Sequence, residues 1–384
     1  MANKSNSNKR KTQKAVKSME KAAKKNPKVF IAVVAILLVI VIVALLLWYF
    51  LVYKKKKVIQ TGDLSIHFLE LGNKYAGDCT LIKIGDTEIL IDAGSRQGSA
   101  ATIVPYIREY CTDGVLEYVI ATHAHQDHIA AFVGTNSAPG IFDSFECKTI
   151  IDFPLTDSTT SIVSEYYAKR DAEVAAGAKH YNALQCYNET DGAKRSYAIA
   201  ENVTMEILYQ RFYEEHTSDE NDYSVCMLLN QGNYHYLFTG DLEKDGEASL
   251  VENNKLPQCK LFKGGHHGSR TSSTDKLLSV IKPETVCVCC CAGSPEYSVS
   301  PAAIFPTQDF INRVAKYTKN IYVTSLATDV VYDPKSYGFT SMNGNIKVIS
   351  DGVKFEVSCS NNNTILKDTE WFRANRTWPS DGVA

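Results

Sequence analysis

The sequence predicts an α/β protein, an αββα sandwich that follows an N-terminal transmembrane helix. Three observations lead there. Strand-like apolar runs fall in two consecutive sets, each interrupted by helical segments, and that pattern reads as two sheets packed face to face with helices outside. Asp92, His123, Asp241 and His266 each follow such a run, at the strand ends where layered α/β folds gather ligands. Ahead of all this, residues 29–52 form an unbroken apolar run without a charge. At about 1.5 Å per helical residue it is long enough to cross a hydrocarbon core of about 30 Å.

The chain divides accordingly. Residues 1–28 are rich in Lys, Asn and Ser and read as a basic, disordered tail. Residues 29–53 read as an anchor, with Trp48, Tyr49 and Tyr53 at the depth of an interfacial aromatic belt. No small-residue cleavage site follows, so the anchor is expected to stay uncleaved. Ten basic residues precede the span and four follow it, which places the tail in the cytoplasm and residues 58–384 outside a single-pass cell membrane protein. Residues 58–360 are expected to form one domain, and 361–384 a polar, irregular C-terminal tail.

Charge is unevenly shared. Of 41 Lys and Arg, 14 lie in residues 1–57 beside a single acid, Glu20, so 27 basic and 42 acidic residues remain beyond. An acidic domain is a poor default partner for the phosphates of nucleic acid, although a local basic groove stays compatible with it. The 11 cysteines show no paired C-x-x-C spacing. Cys287, Cys289, Cys290 and Cys291 crowd one strand, where neighbours face opposite sides, so they read as small buried apolar residues rather than a tetrahedral metal site.

Within the domain, alternation predicts strands over 64–71, 79–85 and 88–92, the last two joined by a Gly85-Asp86 turn. A helix is expected over 100–110, and strands over 115–121 and 148–152. Then come a helix over 161–178 and strands over 203–208, 225–230 and 234–238, with Gln231-Gly232-Asn233 as a hairpin turn. A short strand at 261–263 runs into glycines. Helices at 275–281 and 306–316 flank a strand at 286–291, and strands at 321–325 and within 345–357 complete the list.

The densest chemistry is Thr122-His123-Ala124-His125-Gln126-Asp127-His128, which holds three of the nine histidines directly after an apolar strand. Imidazole and carboxylate are the donors that zinc and similar ions take. Asp241 after Thr239-Gly240 can bridge two cations or cap the helix beginning near Glu243. His266-His267, set among glycines, adds an imidazole or forms a polar turn.

Taken together, these motifs resemble the metallo-β-lactamase superfamily over about residues 64–350. Ile89-Leu-Ile-Asp92-Ala-Gly94 resembles its first motif, whose Asp supports the metal loop, and 122–128 resembles the second. Phe238-Thr-Gly-Asp241 resembles the bridging-Asp motif, and Lys263-Gly-Gly-His-His-Gly-Ser269 the last histidine motif. Within the superfamily the chain is similar to the soluble hydrolase domain of ComEC-type competence proteins. Phe68-Leu-Glu-Leu-Gly72, Gly77-Asp78 and Asn221-Asp-Tyr-Ser224 carry that likeness. Three departures stand out. Glu70 replaces an Asp, the usual third-motif His has only His216 or Asn221 as stand-ins, and Tyr297-Ser-Val-Ser-Pro301 lacks a His that the branch carries.

The resemblance implies a hydrolase using one or two divalent ions, Zn²⁺ or Mn²⁺, that lower the pKa of a water toward ~7. His123 and His125 would hold one ion, Asp127, His128 and one of His266/His267 (His267 preferred) the other, and Asp241 would bridge them. His266 would then contact substrate or protonate a leaving group, and Asp78 would act from behind the ligands or from the substrate side. The expected activity is phosphodiester hydrolysis by activated hydroxide, on nucleic acid or a phosphate-linked envelope polymer. The alternatives are a lactam, lactone or thioester hydrolase on the same site, and a non-catalytic surface binding module.

Overall fold

The computed structural model describes residues 26–48, 63–330 and 336–384. The chain separates into two units, residues 1–57 and 58–384.

In the first unit, the described part is one helix, Pro27–Trp48, of 22 residues. The expected anchor falls on it, and its continuation over 49–53 lies outside the described residues, as do residues 1–25 of the tail expected over 1–28, whose last two residues open the helix. Side chains are described for only part of the helix, and among the described residues no helix is long and apolar enough to cross a membrane.

The second unit is built from two eight-stranded sheets. Its first eight strands are β1 (Leu64–Phe68), β2 (Thr80–Ile84), β3 (Thr87–Ile91), β4 (Val115–Ile120), β5 (Gly134–Thr135), β6 (Ala138–Pro139), β7 (Glu146–Asp152) and β8 (Lys179–Asn182). The next are β9 (Ser196–Ala200), β10 (Val203–Leu208), β11 (Cys226–Gln231), β12 (Tyr234–Phe238) and β13 (Leu261–Lys263). The last are β14 (Val286–Ala292), β15 (Ile321–Thr328), β16 (Gly338–Ser341), β17 (Ile346–Ser350) and β18 (Phe355–Cys359). One sheet runs β18-β17-β1-β2-β3-β4-β7-β8 and the other β16-β15-β14-β13-β12-β11-β10-β9. β5 and β6 form a separate small hairpin.

This corrects one expectation. The strands are not two consecutive sets, because the final hairpin β17–β18 returns to the first sheet, with β17 antiparallel to β1. Alternation along β1 and β2 reveals a buried face but not the neighbour in the sheet, which is a long-range choice.

Alternation does settle how the two sheets pack. Tyr236 and Phe238 of β12 join the core shared with the first sheet, while Leu237 joins a second core on the other face. The Phe68 and Phe238 rings stack at 6.3 Å between the sheets. The second core holds Leu277, Leu278 and Ile281 of the helix Asp275–Ile281 and Phe310, Ile311 and Val314 of the helix Gln308–Val314. Both helices begin on a threonine cap, Thr274 accepting from the Leu277 N–H and Thr307 from that of Phe310. The cysteines of β14 divide the same way, with Cys287 and Cys289 in the shared core and Cys290 in the outer one. All 11 cysteines are free thiols.

The C-terminal segment is not irregular as expected. Glu370–Asn375 is helical, and Leu366 and Phe372 are buried in the outer core. Two apolar side chains in a polar stretch suffice to dock it, a signal that composition averages away.

Candidate metal centre

The metal loop leaves the C-terminal end of β4 and runs straight into the helix Gln126–Val133, which places Asp127 and His128 in its first turn. Gly94, after β3, allows the loop to pass close by, since a Cβ there would lie 1.5 Å from the Asp127 carbonyl oxygen. Gly240, at φ +53°, brings the β12 end against Thr122, where a Cβ would come within 2.8 Å of the Thr122 side chain. The two sheets therefore meet at these motifs.

Asp241 Oδ2 lies 3.1 Å from Nε2 of both His128 and His267, and His267 Nε2 lies 3.2 Å from Asp127 Oδ2. The opposite ring nitrogens are held from behind. His128 Nδ1 donates to Asp92 Oδ2 at 2.8 Å, and His267 Nδ1 donates to the Cys289 carbonyl at 2.9 Å. Asp92 also accepts from the Thr122 N–H and hydroxyl, at 2.7 and 2.8 Å, and so supports the loop as the resemblance implied. His123 and His125 face each other, with Nε2 and Nδ1 3.0 Å apart. His123 Nδ1 also meets the hydroxyls of Thr122 and Ser224, at 3.1 and 3.4 Å.

These residues fit a divalent ion. Nε2 of His128 and of His267 is buried and has no hydrogen-bond partner among the described residues. Donors bound at roughly 2.0–2.2 Å in a tetrahedral set stand about 3.3–3.6 Å apart, close to the separations observed. Asp78, His128, Asp241 and His267 offer ligand atoms that all lie within 4.8 Å of one another.

Electrostatics point the same way. Burial disfavours the Asp241 carboxylate, but the charges of His128, His267 and Lys263 overcome it and hold its pKa well below the usual range. Burial likewise disfavours charge on His128 and His267, yet Asp241, with Asp92 for one and Asp78 for the other, holds both pKa values well above the ordinary value. The cluster thus retains protons that a bound cation would displace. Burial keeps His123 neutral, with its pKa well below the ordinary value.

The positions expected from sequence separate clearly. His123, His125, Asp127, His128, Asp241 and His267 come together. His266 stands to one side, its Nε2 3.9 Å from Asp241 Oδ2 and its Nδ1 3.1 Å from Glu243 Oε1. Asp78 is 2% exposed, pairs with Lys263, and offers a ligand atom in the same cluster as His128, Asp241 and His267. The third-motif stand-ins turn to other partners. His216 faces Asp157 at 3.6 Å with its side chain 73% exposed, and Asn221 turns its amide toward Glu243. Ser224 occupies that ground instead, accepting from the Asp241 N–H at 3.1 Å.

Sequence reasoning passed over two residues. Lys263 is 3% exposed and bridges Asp78 and Asp241. It stands in the quoted last motif, and a lysine at a strand end before two glycines was the available signal. Tyr297 reaches Asp127 from a distant loop, which no local pattern indicates.

Residues 72–134 match the model of the Metallo-beta-lactamase superfamily. The family is the one the motifs resemble, and the αββα sandwich is its fold. Curated relatives of this chain include competence proteins. ComE operon protein 3 of Bacillus subtilis is 32% identical over 73 residues, 18% of this chain and 9% of that protein. Competence protein ComA of Neisseria gonorrhoeae is 31% identical over 122 residues, 30% of this chain and 16% of that protein. The match thus spans well under a fifth of these relatives. Among solved structures, the metallo-beta-lactamase fold protein YhfI from Bacillus subtilis is 13% identical. That alignment covers 69% of this chain and 96% of YhfI, with a TM-score of 0.36.

Proposed function

We propose that the chain is a membrane-anchored, metal-dependent hydrolase that cleaves phosphodiesters. The observation that carries the reading is Asp241 Oδ2, 3.1 Å from Nε2 of two buried imidazoles, His128 and His267. When bound, divalent ions supply a water with a pKa near ~7 and stabilise charge at the reacting phosphoryl group.

The protein's own residues do the rest. His123, His125, His128, His267, Asp127 and Asp241 form the ligand set, and Asp92 and the Cys289 carbonyl fix ring orientation. His266, with its side chain 19% exposed, is placed to give a proton to a leaving oxygen while Glu243 orients it. Tyr297 meets the open side of Asp127 and is placed to bind a substrate oxygen.

The helix Pro27–Trp48 supports the anchor. Ile31, Ile36, Leu38, Val39, Ile40, Val41, Ile42 and Val43 are all exposed. Six consecutive positions at 3.6 residues per turn cover the whole circumference, so the helix has no polar face there. The basic tail then faces the cytoplasm and the catalytic domain the outside. On substrate, the branch resemblance of the motifs supports nucleic acid, and the acid excess of residues 58–384 supports a phosphate-linked envelope polymer.

The experiment is hydrolysis of bis(p-nitrophenyl) phosphate by the full chain in detergent with Zn²⁺ or Mn²⁺, beside His125→Ala. Metal-dependent turnover that His125→Ala abolishes is expected, and DNA and envelope polymers are then compared as substrates. Bound metal without turnover would transfer the site to lactams, lactones or thioesters.

A further inference from the structure

Glu88, Cys111 and Asp113 meet at the end of the first sheet opposite the metal loop. Glu88 is the second residue of β3, and Cys111 and Asp113 lie in the turn between the helix Ala100–Tyr110 and β4. One ligand atom from each of the three lies within 4.8 Å of the others. Glu88 and Cys111 are each 2% exposed, whereas Asp113 is exposed and leaves one side open to solvent.

One oxygen in this group lacks a partner. Lys83 holds Oε1 of Glu88, but the buried Oε2 has no hydrogen-bond partner among the described residues. Leaving such an atom unsatisfied is costly, since it has given up water without gaining a donor. The surroundings hold mainly acceptors. Cys111 Sγ lies 3.0 Å from the Val115 carbonyl and 3.8 Å from Asp113 Oδ1, and the Glu117 carboxylate already accepts the Glu88 N–H at 2.8 Å. Three carboxylates and a thiol thus gather here, with Lys83 on Glu88 Oε1 and Lys148 near Glu117 and Asp113, and Glu88 Oε2 is left without a donor among the described residues.

We propose that Glu88, Cys111 and Asp113 form a second divalent-metal site, separate from the hydrolytic centre and taking a borderline-soft ion of the zinc class. The donors decide the class, since thiolate with carboxylate suits Zn²⁺, Co²⁺ or Cd²⁺ better than Mg²⁺ or Ca²⁺. On binding, Cys111 Sγ exchanges its S–H bond for a bond to the metal, and the proton leaves to solvent past Asp113. Glu88 and Asp92 sit toward opposite ends of β3, about 13 Å apart along extended chain. An ion here ties β3 to the entry of β4, the two strands whose far ends carry Asp92 and the metal loop.

The test is titration of the full chain in detergent with Co²⁺ or Cd²⁺, reading thiolate-to-metal charge-transfer absorption. The hydrolytic donors are imidazole and carboxylate, so that absorption reports a thiolate site alone. The expected result is a band in the native chain, and loss of both the band and one bound equivalent in Cys111→Ser, with phosphodiester turnover unchanged. Glu88→Gln is expected to weaken the titration at least tenfold, and His125→Ala to keep the band. A native chain without the band overturns the proposal, and so does a band that survives Cys111→Ser.

Discussion

Tyr297 donates its hydroxyl hydrogen to Asp127 Oδ2 at 2.7 Å, joining positions 170 residues apart. The segment carrying it is pinned across the mouth of the site. Glu296 accepts from the Ala76 N–H at 2.7 Å and pairs with Arg96 at 2.7 Å. The Tyr297 ring packs on Phe305 at 5.6 Å, and Phe305 lies 6.2 Å from the His267 ring. Removing the hydroxyl alone tests whether this contact serves catalysis. Tyr297→Phe is expected to lower kcat/KM for bis(p-nitrophenyl) phosphate about tenfold, the worth of one hydrogen bond to a charged group, with metal content unchanged. Unaltered kinetics would show that the strap only shields the site.

Asp241 Oδ2 faces Nε2 of both buried imidazoles, His128 and His267. Asp241→Asn keeps its shape and removes its charge. Metal analysis is expected to show at least one equivalent lost, and turnover is expected to fall by about three orders of magnitude or more. If metal content and turnover both stay native, the proposed centre is wrong.

Lys263 neutralises Asp78 and Asp241 while almost wholly buried. Lys263→Met leaves two buried carboxylates short of a counter-charge, which costs about 3–5 kcal/mol. A divalent ion can supply the missing charge. The thermal midpoint of the variant is therefore expected to drop steeply in chelator and to recover partly with added Zn²⁺. A drop of equal size in both conditions would exclude that compensation.

His67 is wholly buried between the Tyr106 hydroxyl at 2.8 Å and the Ser65 hydroxyl at 2.9 Å. Burial, helped by Lys347, pushes its pKa down from 6.5 to about 3. The unfolded chain takes up this proton near pH 6.5 and the folded chain does not, so stability is lost as pH falls from about 6.5 toward about 3. The loss approaches roughly 5 kcal/mol at the acid end. Denaturant midpoints measured over that range are expected to fall with a slope that His67→Gln reduces by about one proton. An identical slope in the variant would assign the acid sensitivity to other groups.

His216 offers a negative control. It is largely exposed and faces Asp157. His216→Ala is expected to leave metal content and turnover within error of native, and a loss of metal would restore it as a ligand.

The local pattern was enough for the chemistry. A histidine-rich loop after a strand, an Asp after Thr-Gly, and two histidines among glycines each carry their residue types within a few positions, and the strand ends bring them together. The choice of His267 over His266 was legible in part from its place before Gly268. In the fold the two residues, both at positive φ, send their rings to different partners, His267 to Asp241 and His266 to Glu243. Pairings between distant segments were not legible. Lys263 with Asp78, Tyr297 with Asp127, the return of β17 to β1 and the docking of Phe372 depend on chain closure across long separations. Alternation and motif spacing are set by neighbours along the chain, so a sequence displays them directly. Counter-charges and sheet neighbours are selected by the free energy of burying the whole domain, and only the assembled fold decides them.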